Sequence, residues 1–511
     1  MTLVLAIDVG TSSVKVQLSG TTGTLVAEAS RPYPTNRPHP GHAEQEPEDW
    51  WRATAEAVRL TLGRGGSSGG DVAAIGITGQ MHGTVLVDGD HRPLSPAIIW
   101  SDQRAVAEVA ALEGRPGLET IIATTGGRLA TGYQAVTVSW LASHRPDLLA
   151  SCRTVLLPKD WLRARLTGVV ATEPSDAGGT ALFDIRRREW SPMMLAAAGL
   201  RPEQLPPVLA STERAGNLTA EAADALGLAP EIPVATGAGD AQAAALGAGV
   251  TSPGDLLVTL STGTQALIPV SAVPAIPDYR GQTVCSALEP AQGPGWARVA
   301  ATLNCGSALH WAAAALGFPD DRALLAAAAH VPAGSRGVLF VPYLAGERAP
   351  WHDAGARGTF LGLAADHGRD DLARAVVEGV TLAASLAYSA IAPASRRVPR
   401  FITLAGGGAR DATWRQIVAD VYGLPVRYSA TPDQSARGAA ILATAMLNGA
   451  NPADVAAARQ PASLAETSPD PERHDLYQER QALLADAYLA LRPIVGRLAV
   501  RRGSTKAATV P

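Results

Sequence analysis

The chain has 511 residues, 47% of them hydrophobic and 18% charged, with a formal net charge of −4 at pH 7. Its length suggests about two to four domain-sized units, and its composition excludes a disordered chain. The near-neutral charge gives no field for nucleic acid or an acidic membrane, so neither is expected as a partner.

The N-terminal "MTLVLAIDVG" has no basic start and no cleavage pattern of a signal peptide. It reads as a strand, followed by the polar turn "GTSS" and a second strand, "VKVQLSG". Helical spacing predicts a helix from Pro47 to Leu62, with Trp51, Thr54, Ala55, Val58 and Leu62 on its apolar face. "GRGGSSGG" (63–70) reads as a flexible loop inside the same domain. "VAAIGITG" and "TVLVDGD" read as strands, and "LLPKDWLRARLTG" as strand, turn and short helix. Cys152, Cys285 and Cys305 are far apart, fit no disulfide or zinc spacing, and read as small buried hydrophobes in a reducing compartment.

A second beginning appears in "LLVTLSTGTQALIPV" (256–270), again strand, polar turn, strand. Set on its Gly-Thr, it overlays the first hairpin, with Asp8 on Ser261 and Gly10-Thr11 on Gly263-Thr264. Two such beginnings suggest a duplicated domain, with the break near Gly249 to Asp255. The apolar run from Ala375 to Ala392 carries Glu378 and reads as a buried core helix; no run of about 20 uncharged apolar residues appears. From Arg400 to Val426 a strand ends in three glycines, and a helix starts at the N-cap Asp411 with Trp414, Ile417, Val418 and Val421 inward. "RRGSTKAATVP" reads as a frayed tail.

The chemistry-bearing residues cluster in a few short motifs. A tight Gly-Thr turn presents backbone N–H groups and hydroxyls, a cradle for phosphate oxygens. Asp8, heading the first turn, could hold Mg²⁺ through water. The glycines 406–408 precede a helix whose N-terminus suits a phosphate or nucleotide edge. Asp240 opens a helix of small residues in "GAGDAQAA", where the helix N-terminus favours an ionised carboxylate able to accept a proton. Met81 and His82, just past a strand, could line a small-molecule pocket. Asp102 and Arg104 read as an ion pair that holds a loop.

Together these motifs resemble the FGGY family of carbohydrate kinases. The resemblance runs from Ile7 to about Ala445, through "IDVGTSSVKV", "RPHPGHAEQEPEDWW", "GITGQMHG", "IIWSDQR", "LLPKDWLR", "SDAGGT", "FVPYLAGERAP", "GTFLGL" to "DLARAVVEGV", and "LAGGGARDATWRQIVAD". It implies an α/β fold of two actin-like (ribonuclease H-like) domains flanking a deep cleft for ATP and sugar. Residues 1–250 would form the sugar-binding domain, 251–490 the nucleotide-binding domain, and 491–511 a helix end and flexible tail. It implies ATP-dependent phosphorylation of a terminal hydroxyl of a small sugar, D-xylulose first, in a cytoplasmic enzyme of a kind in which homodimers are common. Asp240 would be the catalytic base and Asp8 a second catalytic residue, both touching Mg²⁺ through water. Met81 and His82 would contact the sugar with Asp240. Gly10, Thr11, Ser12, Thr262, Gly263, Thr264, Gly306, Gly407 and Gly408 would bind the nucleotide.

The chain departs from the family pattern at Ala241, Gln265 and Thr137. Ribulose, sedoheptulose, xylitol, erythritol and glycerol therefore stay open as acceptors, since one altered hydrogen bond to a buried hydroxyl changes discrimination strongly. A binding module without catalysis, on the same fold, is the alternative from another class.

Overall fold

The structure, a computed structural model, describes residues 2–275, 279–395, 397–428, 433–460 and 465–504. Each half of the chain builds one mixed sheet around its hairpin. In the first, the strand order is Arg214–Asn217, Pro233–Ala235, Val72–Gly79, Leu3–Val9, Ser13–Gly20, Leu25–Pro32, with Ala238–Gly239 also pairing with Val72–Gly79. In the second, it is Gln282–Cys285, Trp296–Thr302, Thr264–Val270, Leu257–Leu260, Ile402–Ala405, Val426–Tyr428, Ala465–Thr467. In both, antiparallel strands on one side of the hairpin's first strand meet parallel strands on the other. This repeated order is that of an actin-like α/β fold with two halves. All of Leu3–Val9 is buried, as a central strand covered on both faces requires.

The helix Pro47–Gly65 starts with Pro at its first turn beside Glu48 and Asp49, and ends at Gly66 with φ 58°. Its buried face is Trp50, Ala53, Thr54, Ala57, Val58, Thr61 and Leu62. The expected face holds at Thr54, Val58 and Leu62, but Trp50, not Trp51, fills the core. Trp50 can be wholly buried because its Nε1–H donates to Gln45 Oε1 at 3.0 Å. The stretch 63–70 is less of a loop than expected, since the helix runs through Gly65 and Gly69–Asp71 forms a 3₁₀ turn.

The helix Arg369–Ile391 is the spine of the second half. Its Glu378 is 1% exposed and accepts bonds from Gly334 N, Ser335 Oγ, Arg374 Nε and Tyr477 OH. Among the described residues this is the stretch long and apolar enough to cross a membrane, and most of it is buried inside the protein. The final helix, Pro471–Ser504, continues past Arg501, where fraying was expected; residues 505–511 lie outside the described residues. The three cysteines are buried, and burial pushes the thiols of Cys152, Cys285 and Cys305 up to about 11, 12 and 11.

The helix Gln434–Asn448 lies in sequence between two strands of the second sheet but packs on the first. Its Ala436, Ala439, Ala440 and Ala443 pack against Val4, Ala6 and Ala74. It also crosses the helix Asp240–Gly247 at very close range. A Cβ on Gly438 would lie 1.9 Å from the Ala243 carbonyl oxygen, and one on Gly247 2.0 Å from that of Gln434. Only glycine permits this crossing. It brings the start of the 434–448 helix beside the first hairpin.

Candidate active site

Strand register assembles the site. In the first sheet Asp8, Thr78 and Ala238 share one row, and Val9, Gly79 and Gly239 the next. Asp8 thus sits at the carboxyl end of its strand, Met81 and His82 follow the end of the second, and Asp240 follows the end of the third. Ligand sites of open parallel sheets form at such ends.

Four charged groups meet there. Asp8 is 4% exposed, and its Oδ1 has no hydrogen-bond partner among the described residues. Burial raises its pKa well above the carboxylate range, Asp433 and Asp240 add to the rise, and Lys15 opposes it. Asp240 is the first residue of its helix, and its Oδ1 accepts the Ala241 N–H at 2.7 Å. Burial pushes its pKa up to about 6 against that bond; Asp433 adds to the rise and Lys15 opposes it. Lys15 faces Asp8 across the hairpin ladder, and its Nζ lies 2.7 Å from Asp433 Oδ2. Asp433 also caps the 434–448 helix through the Ala436 N–H. Three carboxylates around one ammonium leave excess negative charge, a setting that draws a cation. Among the described residues no group of three or more acidic, His or Cys side chains is set to ligate a metal directly. The partnerless Asp8 oxygen and this excess charge therefore fit Mg²⁺ that keeps its water.

His82 stacks on Tyr133 with ring centroids 4.4 Å apart. Its Nδ1 lies 2.6 Å from the Gly179 carbonyl, so Nδ1 carries the hydrogen and Nε2 is left as an acceptor. Burial pushes its pKa down to about 4 although the Gly179 bond opposes this, and Arg348 adds to the fall, so the ring is neutral at physiological pH. His82 holds φ 72°, a left-handed conformation rare outside glycine. Met81 packs against the backbone of Gly239, where a Cβ would meet its Cγ at 2.9 Å. Met81, His82, Asp8 and Asp240 are thus brought together.

The first turn is braced from several sides. The Gly10 N–H donates to Ser13 O at 3.1 Å, Trp100 Nε1 donates to Thr11 Oγ1 at 2.9 Å, and the Tyr33 N–H donates to Ser12 O at 3.2 Å. Ser12 is exposed; Gly10 and Thr11 are half-buried. In the second turn Thr262 is exposed and Gly263 half-buried. Thr264 is 3% exposed and its N–H donates to Thr302 Oγ1, so it belongs to the sheet and does not face the cleft as expected. The Gly306 N–H donates to Ser261 O at 2.8 Å, and a Cβ there would lie 2.7 Å from that oxygen. Gly306 therefore closes the turn from behind.

The overlay of Asp8 on Ser261 is also corrected. Counted from the rung nearest the turn, Val9–Val14 in one hairpin matches Leu260–Thr264 in the other. Asp8 and Lys15 then correspond to Thr259 and Gln265. The first loop is one residue longer, and alignment on Gly-Thr hides this.

The glycines 406–408 stand beside the second turn. Gly406, at φ 89°, approaches Leu260 O, Gly408 packs on the Trp414 ring, and Gly407 alone faces open space. They do not lead straight into a free helix N-terminus. A 3₁₀ turn, Gly408–Arg410, intervenes, and Asp411 Oδ1 already accepts the Trp414 N–H at 2.9 Å. Asp102 pairs with Arg104, which also reaches Glu44, and this cluster is a loop brace.

A cleft runs between the halves, lined by Gln103, Arg128 and Tyr133 on one side and Gln282, Glu347 and Arg348 on the other. Tyr133 OH donates to Gln282 Oε1 across it at 3.3 Å. Glu347 accepts from Leu303 N at 2.7 Å, and burial pushes its pKa up to about 7. Lys15, Tyr133 and Asp433 were not picked out by the motifs. Only Lys15 had a signal in the chain, its place opposite Asp8 when residues are counted back from the turn.

The description "FGGY family of carbohydrate kinases, N-terminal domain" fits residues 3–247, and the C-terminal domain of that family fits 257–447. The chain is 37% identical to the xylulose kinase of Escherichia coli (strain K12), over 96% of this chain and 99% of that one. A solved xyloylose kinase from Brucella ovis superposes with a TM-score of 0.89 at 33% identity, covering 96% of this chain and 100% of that one. A gluconate kinase from Lactobacillus acidophilus does so with a TM-score of 0.90 at 26% identity, covering 97% and 99%.

Proposed function

The chain belongs to the FGGY family of carbohydrate kinases, and we propose that it phosphorylates D-xylulose at its terminal hydroxyl with ATP, giving D-xylulose 5-phosphate. Asp240 is the general base of this reading. The observation that carries it is a carboxylate at the end of the strand that pairs beside the one leading to Met81, where burial pushes its pKa up to about 6. A base poised just below working pH is ionised before the reaction and still able to take a proton. Its Oδ1 is engaged by the Ala241 N–H, which leaves Oδ2 for the hydroxyl.

The sugar lies against Met81 and neutral His82, whose Nε2 accepts a hydroxyl hydrogen. The attacking oxygen gives its proton to Asp240 as it bonds to the γ-phosphorus, and ADP leaves. The residues 1–250 carry this acceptor side, and 251–490 carry the nucleotide. Half-buried Thr11 and exposed Ser12 on one turn, and exposed Thr262 and half-buried Gly263 on the other, hold the phosphate chain from both sides; Gly407 offers a lip beside the second. Mg²⁺, when bound near Asp8 and Asp240 through water, neutralises charge on the phosphates. Closing the cleft excludes water that would otherwise hydrolyse ATP. Buried, unpaired cysteines fit the reducing cytoplasm.

ADP release is measured with ATP and Mg²⁺ across D-xylulose, ribulose, sedoheptulose, xylitol, erythritol, glycerol and gluconate, for the wild type and Asp240→Asn. D-xylulose is expected to give the highest kcat/KM, and the variant to lose about 10²–10⁴-fold in kcat. A better acceptor than D-xylulose overturns the substrate. Full activity of the variant overturns the base. Sugar binding with no ADP release from the wild type would favour the non-catalytic alternative.

A further inference from the structure

We propose that Ser175 is a positioning residue for Asp240, the key contact of a buried turn that fixes the base and His82 relative to each other. The proposal rests on the reading of Asp240 as the base. The turn runs through the short helix Pro174–Ala177 and the 3₁₀ turn Gly178–Thr180, and residues 173–180 are all buried. Two contacts leave it toward the site. The Gly239 N–H donates to Ser175 Oγ at 3.1 Å, and Gly239 is the N-cap of the helix that Asp240 opens. The His82 ring donates to the Gly179 carbonyl at 2.6 Å. A Cβ on Gly179 would lie 2.9 Å from Met81 Cε, and one on Gly239 2.9 Å from Met81 Cγ. Met81 is thereby clamped between the turn and the strand that presents the base.

The turn is anchored from behind by charge. Glu173 accepts the N–H groups of Ser175 and Asp176 at 2.7 and 3.0 Å, and the Ser211 hydroxyl at 3.1 Å. Lys159 Nζ lies 2.6 Å from Asp160, 3.5 Å from Glu173 and 3.6 Å from Asp176, all of them fully buried. Arg163 bonds Asp160 at 2.9 Å and the Thr236 carbonyl at 2.8 Å. One buried network therefore grips both the turn and the strand leading to Asp240, and such a network holds its members rigidly. Ser175 Oγ is the link from that rigid body to the N-cap of the catalytic helix. Removing it frees the first turn of that helix without touching any group assigned to the chemistry.

Ser175→Ala is compared with the wild type and Asp240→Asn as full chains. The sugar is the one the acceptor panel ranks first. Steady-state constants and the melting temperature are measured. The expected result is a kcat lower by about tenfold with sugar and ATP KM within about twofold, because small misplacements of a reacting group lose rate, not affinity. A wild-type kcat, or a loss carried by the KM values instead of kcat, overturns the positioning role, whatever the melting temperature does. Full activity of Asp240→Asn overturns the base reading and Ser175 with it. A dead Asp240→Asn beside an unchanged Ser175→Ala overturns the Ser175 proposal alone.

Discussion

The hairpins at residues 3–20 and 257–270 occupy the same place in their sheets, yet they differ in charge. One rung back from the turn, Asp8 faces Lys15 in the first, whereas Thr259 faces Gln265 in the second. The first hairpin gains a third charge when the 434–448 helix brings Asp433 onto Lys15. The second is closed from behind by backbone, through the N–H groups of Cys305, Gly306 and Ser307 on the carbonyls of Ser261 and Thr262. A shared frame thus carries two different charge settings. Fixed backbone dipoles suit the part of a phosphate chain that stays put. Mobile charge and a titratable carboxylate suit the phosphoryl group that moves.

The sharpest way to break this contrast is to neutralise the charged hairpin. Asp8→Asn is expected to lower kcat by about 10²-fold, the scale of losing one electrostatic contact to the reacting group. The same change should stabilise the fold at neutral pH. The folded-state pKa of Asp8 is raised by burial, so the folded protein binds more protons than the unfolded chain between the ordinary and the raised value. Wild-type stability therefore falls as pH rises through that window. The melting temperature of Asp8→Asn should exceed that of the wild type at pH 7, and the gap should close toward pH 4. A gap that is absent at pH 7 would mean that the carboxylate is well paired in the native state.

A second test separates the two backbones. A Cβ on Gly263 would lie 2.2 Å from the Thr302 carbonyl oxygen, whereas one on Gly10 would lie 3.2 Å from Ser13 O. Gly263→Ala should lose about 1–3 kcal/mol of stability, in the range of overpacked sites, and Gly10→Ala less than about 1 kcal/mol. Denaturant midpoints of the two variants check the order. Equal midpoints would show that the second turn yields as easily as the first.

Much of this was legible in the chain, and the losses have physical causes. Strand, turn and strand could be read twice because alternating and continuous apolar runs are local signals. The stripe of Trp414, Ile417, Val418 and Val421 is buried as its spacing predicts. Of the expected face of the 47–65 helix, Thr54, Val58 and Leu62 are buried but Trp51 gives way to its neighbour Trp50, because both are large and apolar and periodicity does not separate adjacent tryptophans; the buried Gln45 takes the Trp50 indole hydrogen. The hairpin overlay slipped because a loop of different length leaves Gly-Thr in place and moves the ladder. Asp433 was silent because its role depends on a helix packing on the opposite half, through glycines at 247 and 438 that act over long sequence distance.

The finest test uses the corresponding rung in both hairpins. Lys15 opposes the rise in pKa that burial imposes on Asp8 and Asp240, so it favours their ionised forms. The wild-type kcat/KM should fall about tenfold per pH unit below about 6, as Asp240 takes up its proton. In Lys15→Met the ammonium is gone, Asp433 loses its partner, and repulsion among the three carboxylates rises. The acid limb must then move to higher pH, leaving activity at pH 8 closer to wild type than activity at pH 6. Gln265→Met, at the matching rung of the second hairpin, faces no carboxylate assigned to the chemistry and should leave the limb where it is. If both variants shift the limb alike, the titration reports the cleft as a whole. If Lys15→Met alone shifts it, the charge that tunes the base resides in the first hairpin.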